Sequence, residues 1–225
     1  MLEIILDTET TGLSFNTDKI IEIACIELEN QIPTKNKFHV FINPNMDISD
    51  GAYQTHGISR DFLRDKPVFK DVAKEFLNFI KDSKLVIHNA DFDLAFLNKE
   101  LQELDLEPLS KDRVVDTLFL ARQKFPGSQA SLDALCKRFK INTSEREKHS
   151  ALVDCNLLTE VYIELLEKKE PLLDLQPSQS NINDLDSSTK INTNRKKIIV
   201  PITEEERNLH REFLKVHVPK SSMLN

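Results

Sequence analysis

Long hydrophobic runs are missing from this chain. Its 225 residues contain no stretch of eighteen or more apolar residues, which argues against a membrane-spanning helix. A basic leader is missing too. The opening Met1-Leu2-Glu3-Ile4-Ile5-Leu6-Asp7 has an apolar run too short for a signal peptide, and it reads as a strand. Cysteine is scarce: Cys25, Cys136 and Cys155 are odd in number, far apart and never spaced C-x-x-C. That pattern speaks against a disulfide framework or a zinc knuckle and fits a reducing cytoplasm. Net positive charge is absent. At −7 the chain is unsuited to coating nucleic acid by bulk electrostatics. It can still grip a single strand end, because divalent cations at a carboxylate cluster reverse the local field. No internal repeat is visible.

What is present fits one soluble domain with an extension: 40% of residues are hydrophobic and 30% charged. Leu2–Leu6, Ile20–Leu28 and Lys37–Ile42 read as three strands of an antiparallel meander, with a turn at Thr10-Thr11-Gly12. The period then changes. Val68, Val72, Phe76 and Ile80 recur every four residues, one face of a helix that starts near Pro67. Short strands are expected at Leu85–Ile87 and Arg113–Val115. Helices are expected at Asp91–Leu104, Leu118–Gln123, Leu132–Phe139 and Ala151–Leu166. Strands followed by alternating helix and strand predict an α/β domain with a mixed central sheet flanked by helices.

After Lys169 the composition shifts. Residues 176–197 are rich in Ser, Asn, Asp, Thr and Lys, a flexible tail by composition. The chain therefore divides into a domain at 1–169, a linker at 170–202 and a C-terminal segment at 203–225. In that last segment Thr203-Glu204-Glu205-Glu206 has the form of a capping box, and Leu209, Phe213, Leu214 and Val216 can line one helix side. So short a helix is marginal alone in water and is expected to dock on a partner. Arg195-Lys196-Lys197 reads as a solvated linker charge run.

Three clusters carry chemistry. Asp7 and Glu9 lie two apart at a strand end, so both carboxylates can share a face. They repel each other unless a cation lies between them, and hard divalent ions take oxygen ligands of this kind. In His88-Asn89-Ala90-Asp91-Phe92-Asp93, one acid is expected to cap the following helix while the other faces the sheet edge. His88 reads as structural, and Phe92 as core or as a platform for a base or sugar. In the third cluster Asp154 falls on an apolar helix face, where a buried acid needs a partner. His149 lies five residues earlier, and its imidazole suits a general base at neutral pH.

Together, Asp7-Thr8-Glu9-Thr10-Thr11-Gly12-Leu13, His88-Asn89-Ala90-Asp91-Phe92-Asp93 and His149 with Asp154 resemble the three motifs of DEDDh exonucleases, in order and spacing. The resemblance implies a ribonuclease-H-like fold. It implies Asp7, Glu9, Asp93 and Asp154 as the ligands of two divalent cations, Mg²⁺ or Mn²⁺, with Asp91 as the helix cap and His149 as the general base. Further segments resemble the proofreading subunits of bacterial replicative polymerases. These are Thr55-His56-Gly57-Ile58, Asp116-Thr117-Leu118, Phe125-Pro126-Gly127 and Ser131 to Cys136. This second likeness spans roughly residues 2–166 and implies that His56 lies beside the terminal nucleotide, together with Asp7, Glu9 and Asp154. On the residues alone His56 is a turn residue, and Asp116 reads as a helix cap.

The activity implied is metal-dependent 3′→5′ removal of mismatched nucleotides from a DNA 3′ end as 5′-monophosphates, within a polymerase holoenzyme in the bacterial cytoplasm. The implied partners are the polymerase catalytic α subunit, through the C-terminal tail, and the sliding clamp, through Leu172-Leu173-Asp174-Leu175. Two other readings stand beside it: a stand-alone nuclease that trims RNA or oligonucleotides, and a non-catalytic scaffold for a polymerase.

Overall fold

The first strand, β1 (Leu2–Thr10), is the centre around which the domain is built. In the computed structural model, which describes residues 2–144, 146, 148–166 and 203–217, β1 pairs antiparallel with β2 (Ile20–Glu29) and parallel with β4 (Lys84–Ile87). β2 carries β3 (Ile32–Phe41) on its outer side, and β4 carries β5 (Val114–Asp116). The order β3-β2-β1-β4-β5 makes a mixed sheet in which an antiparallel meander continues into parallel strands. This is the α/β architecture expected from the alternation of periods. Two boundaries differ from expectation. β1 runs past both Asp7 and Glu9 to Thr10, and β3 begins at Ile32.

Side chains alternate across β1 and so separate two cores. Ile4 and Leu6 pack under α3 (Phe69–Ile80) and α4 (Ala90–Gln102), among Val72, Phe76, Leu94 and Leu97. Ile5, on the opposite face, packs with α5 (Thr117–Lys124), α6 (Leu132–Phe139) and α7 (Ala151–Leu165). Asp7 and Glu9 share the parity of Ile5 and therefore continue the face that α7 covers. At the other end of that face the Tyr162 hydroxyl donates to buried Glu3 at 2.8 Å, fixing α7 along β1.

Two short helices, α1 (Asp50–His56) and α2 (Arg60–Leu63), interrupt what reads as loop in the sequence. Each is started by a serine side chain: Ser49 accepts from the Ala52 N–H and Ser59 from the Phe62 N–H. Gly57 ends α1 at φ 71°, a left-handed position that a β-carbon disfavours. That cap directs His56, the last residue of α1, inward.

Beyond the domain, α8 (Glu204–His217) opens with the expected capping box. The Glu206 N–H donates to Thr203 Oγ1 at 3.2 Å, and the Thr203 N–H donates to Glu206 Oε2 at 2.9 Å. Leu209 and Phe213 are exposed on this helix. The chain forms two compact units, 1–173 and 174–225. The linker 170–202, the Leu172–Leu175 peptide and the basic triplet lie outside the described residues.

Candidate active site

The parallel strands β1 and β4 end at the same edge of the sheet, the place where α/β folds gather functional loops. A cavity of about 790 Å³ opens there. Asp7 and Glu9 line it from β1, Asp93 from α4, Asp154 from α7, and His149 from the segment preceding α7. Five residues spread over nearly 150 positions of sequence thus meet in one hollow.

The carboxylates crowd one another. Burial, reinforced by Asp93, Asp154 and neighbouring Glu9, holds the Asp7 carboxyl well above the usual carboxylate range. Asp7 keeps some solvent contact, so the large rise reflects the mass of protein and the negative charges around it. Burial and the charges of Glu22 and Asp154 push Glu9 up to about 8. Burial pushes Asp93 up to about 7, although Thr8 Oγ1 donates to its Oδ1 at 2.7 Å and opposes the rise. A cluster this reluctant to ionise fits divalent cations, which supply the missing positive charge and accept hard oxygen ligands. Glu9, His149 and Asp154 can present ligand atoms within 4.8 Å of one another.

A positive group already stands at one corner. Arg146 forks across Asp154, donating from Nε to Oδ1 at 2.6 Å and from Nη2 to Oδ2 at 2.7 Å. Its Nη1 pairs with Asp133 of α6, and Nη2 lies 3.0 Å from His149 Nδ1. Burial alone would lower the Arg146 pKa, but Asp154 outweighs it and the net shift is upward. Nothing in the sequence pattern singled this arginine out.

Glu22 was also missed. It is fully buried in β2, opposite Glu9. Its carboxylate accepts from Ser150 Oγ at 3.1 Å and from the Ala151 N–H at 3.2 Å, and lies 2.8 Å from His39 Nε2. Ser150 makes no side-chain cap for α7. Glu22 takes that place from across the sheet and holds the helix start that carries Asp154. An acid inside the apolar run Ile20-Ile21-Glu22-Ile23 was the available signal, because a buried carboxylate requires donors.

Two expectations are corrected, those for Asp91 and His56. Asp91 does not cap α4. Asn89 holds that position in left-handed conformation without a side-chain bond, while exposed Asp91 pairs with Lys111 at 2.5 Å. The turn after β1 is tied by its own hydrogen bonds. The Thr11 N–H donates to the Lys19 carbonyl, and the Ser14 N–H to Asp18. Gly12 is needed because a β-carbon would meet the Asp18 carboxylate at 2.5 Å. His56 is a buried helix-end residue and not a turn residue. Its Nδ1 accepts from the Ile58 N–H at 2.9 Å, and its Nε2 is buried without a well-formed hydrogen bond. Burial lowers its pKa, with the Thr10 carbonyl opposing. It lines two smaller clefts beside the main cavity, one shared with Glu9 and Phe92 and one with His149.

The structural readings hold elsewhere. Asp116 caps α5 through the Leu118 N–H at 2.8 Å and also accepts from the Asn89 N–H at 3.2 Å. His88 Nδ1 lies 2.9 Å from Thr117 Oγ1, and burial lowers its pKa. Phe92 packs against Phe96 at 4.9 Å and also lines the cavity. All three cysteines are free and buried.

A mixed sheet with acids gathered at the ends of its parallel strands offers hard oxygen ligands beside an open cavity. Residues 4–162 match the family model RNase_T, exonuclease. The chain is 48% identical over 217 residues to DNA polymerase III subunit epsilon of Rickettsia conorii, covering 94% of each chain. Among solved structures it resembles Exonuclease X in complex with 5′ overhanging duplex DNA: 28% identity, TM-score 0.59, covering 74% of this chain and 92% of that one. The nuclease domain of 3′hExo, a DEDDh family member bound to rAMP, shares the fold at 19% identity and TM-score 0.64, covering 75% of this chain and 92% of that one. The chain belongs to the exonuclease family and, within it, to the DNA polymerase III epsilon subunits.

Proposed function

We propose that this protein is the proofreading 3′→5′ exonuclease of a bacterial replicative polymerase, acting with two divalent cations, Mg²⁺ or Mn²⁺, on frayed DNA 3′ ends. The observation that carries this reading is the meeting of Asp7, Glu9, Asp93, His149 and Asp154 around one cavity. Asp7, Glu9, Asp93 and Asp154 would hold the ions. When bound, the ions supply a water of lowered pKa and positive charge against the phosphate oxygens.

The side chains do the rest. His149 takes the proton of the attacking water at a ring nitrogen. Thr8 orients Asp93 through its hydroxyl, and Glu22 fixes the start of α7 so that Asp154 and His149 keep their places. His56 borders the terminal nucleotide beside Glu9, with Phe92 as an apolar wall. A mismatched end costs less to unpair and so reaches the cavity more often. Discrimination then needs no reading of base sequence.

The domain would span 1–169. The linker 170–202 and the segment 203–225 would carry the contact to the polymerase α subunit, with Leu172–Leu175 available to the sliding clamp. The protein would work in the cytoplasm at the replication fork. The test is hydrolysis of a 3′-labelled primer–template, paired or mismatched, in Mg²⁺ and then in EDTA. Faster metal-dependent loss of the mismatched nucleotide is the expected result. Trimming of RNA ends alone would move the protein to a stand-alone trimming role, and cleavage of neither substrate would leave a scaffold.

A further inference from the structure

Arg146 stands between the cavity's acids and its histidine. Its side chain is only 7% exposed and holds Asp154, itself 6% exposed, through a two-point fork. Guanidinium always donates. With Nη2 at 3.0 Å, the His149 Nδ1 lone pair is therefore engaged. One side chain thus occupies both a carboxylate offered for a metal and the residue offered as base. Asp133 of α6 anchors the far side of the guanidinium from the rim, where its carboxylate is 69% exposed.

From this we infer that Arg146 is an internal latch: its guanidinium and a divalent cation compete for Asp154, so that it must leave Asp154 before a cation can be held there. The inference rests on the metal-site reading above. Once Arg146 moves, Asp154 Oδ2, 3.3 Å from His149 Nδ1, is the remaining partner for that nitrogen. Release of the latch therefore frees the ligand and the base in one movement. Apparent cation affinity is reduced by the fraction of molecules in which Arg146 is seated.

The test is Mn²⁺ binding to the full-length protein by calorimetry, without nucleotide, alongside melting in EDTA. Arg146→Lys keeps the charge but cannot fork across two oxygens. It should bind Mn²⁺ about tenfold more tightly and melt lower in EDTA. Asp133→Asn gives the sharper reading, because it touches only the exposed anchor. Loss of a nearby negative charge by itself would weaken cation binding, whereas a loosened latch should strengthen it, by about threefold. Unchanged affinity in Arg146→Lys, or weaker affinity in Asp133→Asn, would overturn the latch and leave Arg146 a structural partner of Asp154. Absence of Mn²⁺ binding in every form, the unaltered protein included, would overturn the metal site along with it. If Arg146→Lys fails to fold, Asp133→Asn decides alone, and unchanged affinity there also overturns the latch.

Discussion

Asp93 and Asp154 hold the same place on two different helices. Each is the fourth residue of its element, in α4 and in α7, and each is almost wholly buried against the same cavity. Their surroundings differ. Asp93 is met only by dipoles, the Thr8 hydroxyl and the backbone N–H groups of Asp93 and Thr8, and burial still lifts its pKa to about 7. Asp154 is met by a full guanidinium in a two-point fork. A dipole offsets only part of the cost of burying a carboxylate, while a charge offsets most of it. Among the protein's own groups, the α4 side of the cavity is therefore short of positive charge, and the α7 side is not.

The sharpest way to break the comparison is to remove each charge at constant shape. On the proposed function, Asp154→Asn and Asp93→Asn should each lower hydrolysis by about a thousandfold or more, since both would remove a proposed metal ligand. Their metal-free stabilities should move oppositely. Asp154→Asn strands Arg146 and should cost about 3 kcal/mol. Asp93→Asn relieves a crowded carboxylate and should gain about 1–3 kcal/mol at pH 8. Urea melts in EDTA check both signs, and parallel destabilisation would show the two helix starts to be alike.

His149→Gln is expected to slow single-turnover cleavage by about 10²–10⁴-fold near neutral pH, with protein folding unchanged. A rate within twofold of the unaltered protein would remove His149 as base.

Asp7, Glu9 and Asp93 have folded pKa values above their ordinary ones, with Glu9 at about 8 and Asp93 at about 7. The folded protein then binds more protons than the unfolded chain between the ordinary carboxylate range and about pH 8. Stability from these groups is complete below that range and falls as pH rises through their folded values. Melting temperature in EDTA should therefore decline across this window, and Mg²⁺ should flatten the decline. A flat profile in EDTA would mean that the carboxylates are already compensated.

The smallest effect belongs to Thr8→Val. Without the hydroxyl, the Asp93 pKa should rise above about 7, because the lost bond was lowering it. Metal-free stability at pH 8 should drop by about 1 kcal/mol. Melts of this variant and of Asp93→Ala carrying the same change test whether the two side chains act as a pair, since alanine offers the hydroxyl no acceptor and the loss should vanish in the second background.

Regular elements were legible wherever a face is apolar. The four-residue recurrence through Val72, Phe76 and Ile80 is α3, and the β-branched run from Ile20 is β2. α1 and α2 were not legible, because short exposed helices have little apolar periodicity and depend on the Ser49 and Ser59 caps. The five residues around the cavity could be named because their carboxyl and imidazole chemistry stands out in three short segments. Arg146 and Glu22 could not be named that way. An arginine between acids reads as a solvated charge, and the donors that Glu22 serves lie 128 and 129 residues away.

The sequence by itself determined which carboxyl and imidazole groups are available for chemistry and where an apolar period makes a strand or helix, since side-chain type and hydrophobic period are local properties of the chain. Only the tertiary structure decided how the acids are charged and held: β1 pairs with β4, α7 is tied down at Glu3 and Glu22, and Arg146 reaches Asp154. The physical reason is that ionisation and hydrogen bonding at a buried group depend on the neighbours that folding brings within a few ångströms, and those neighbours are remote in the chain.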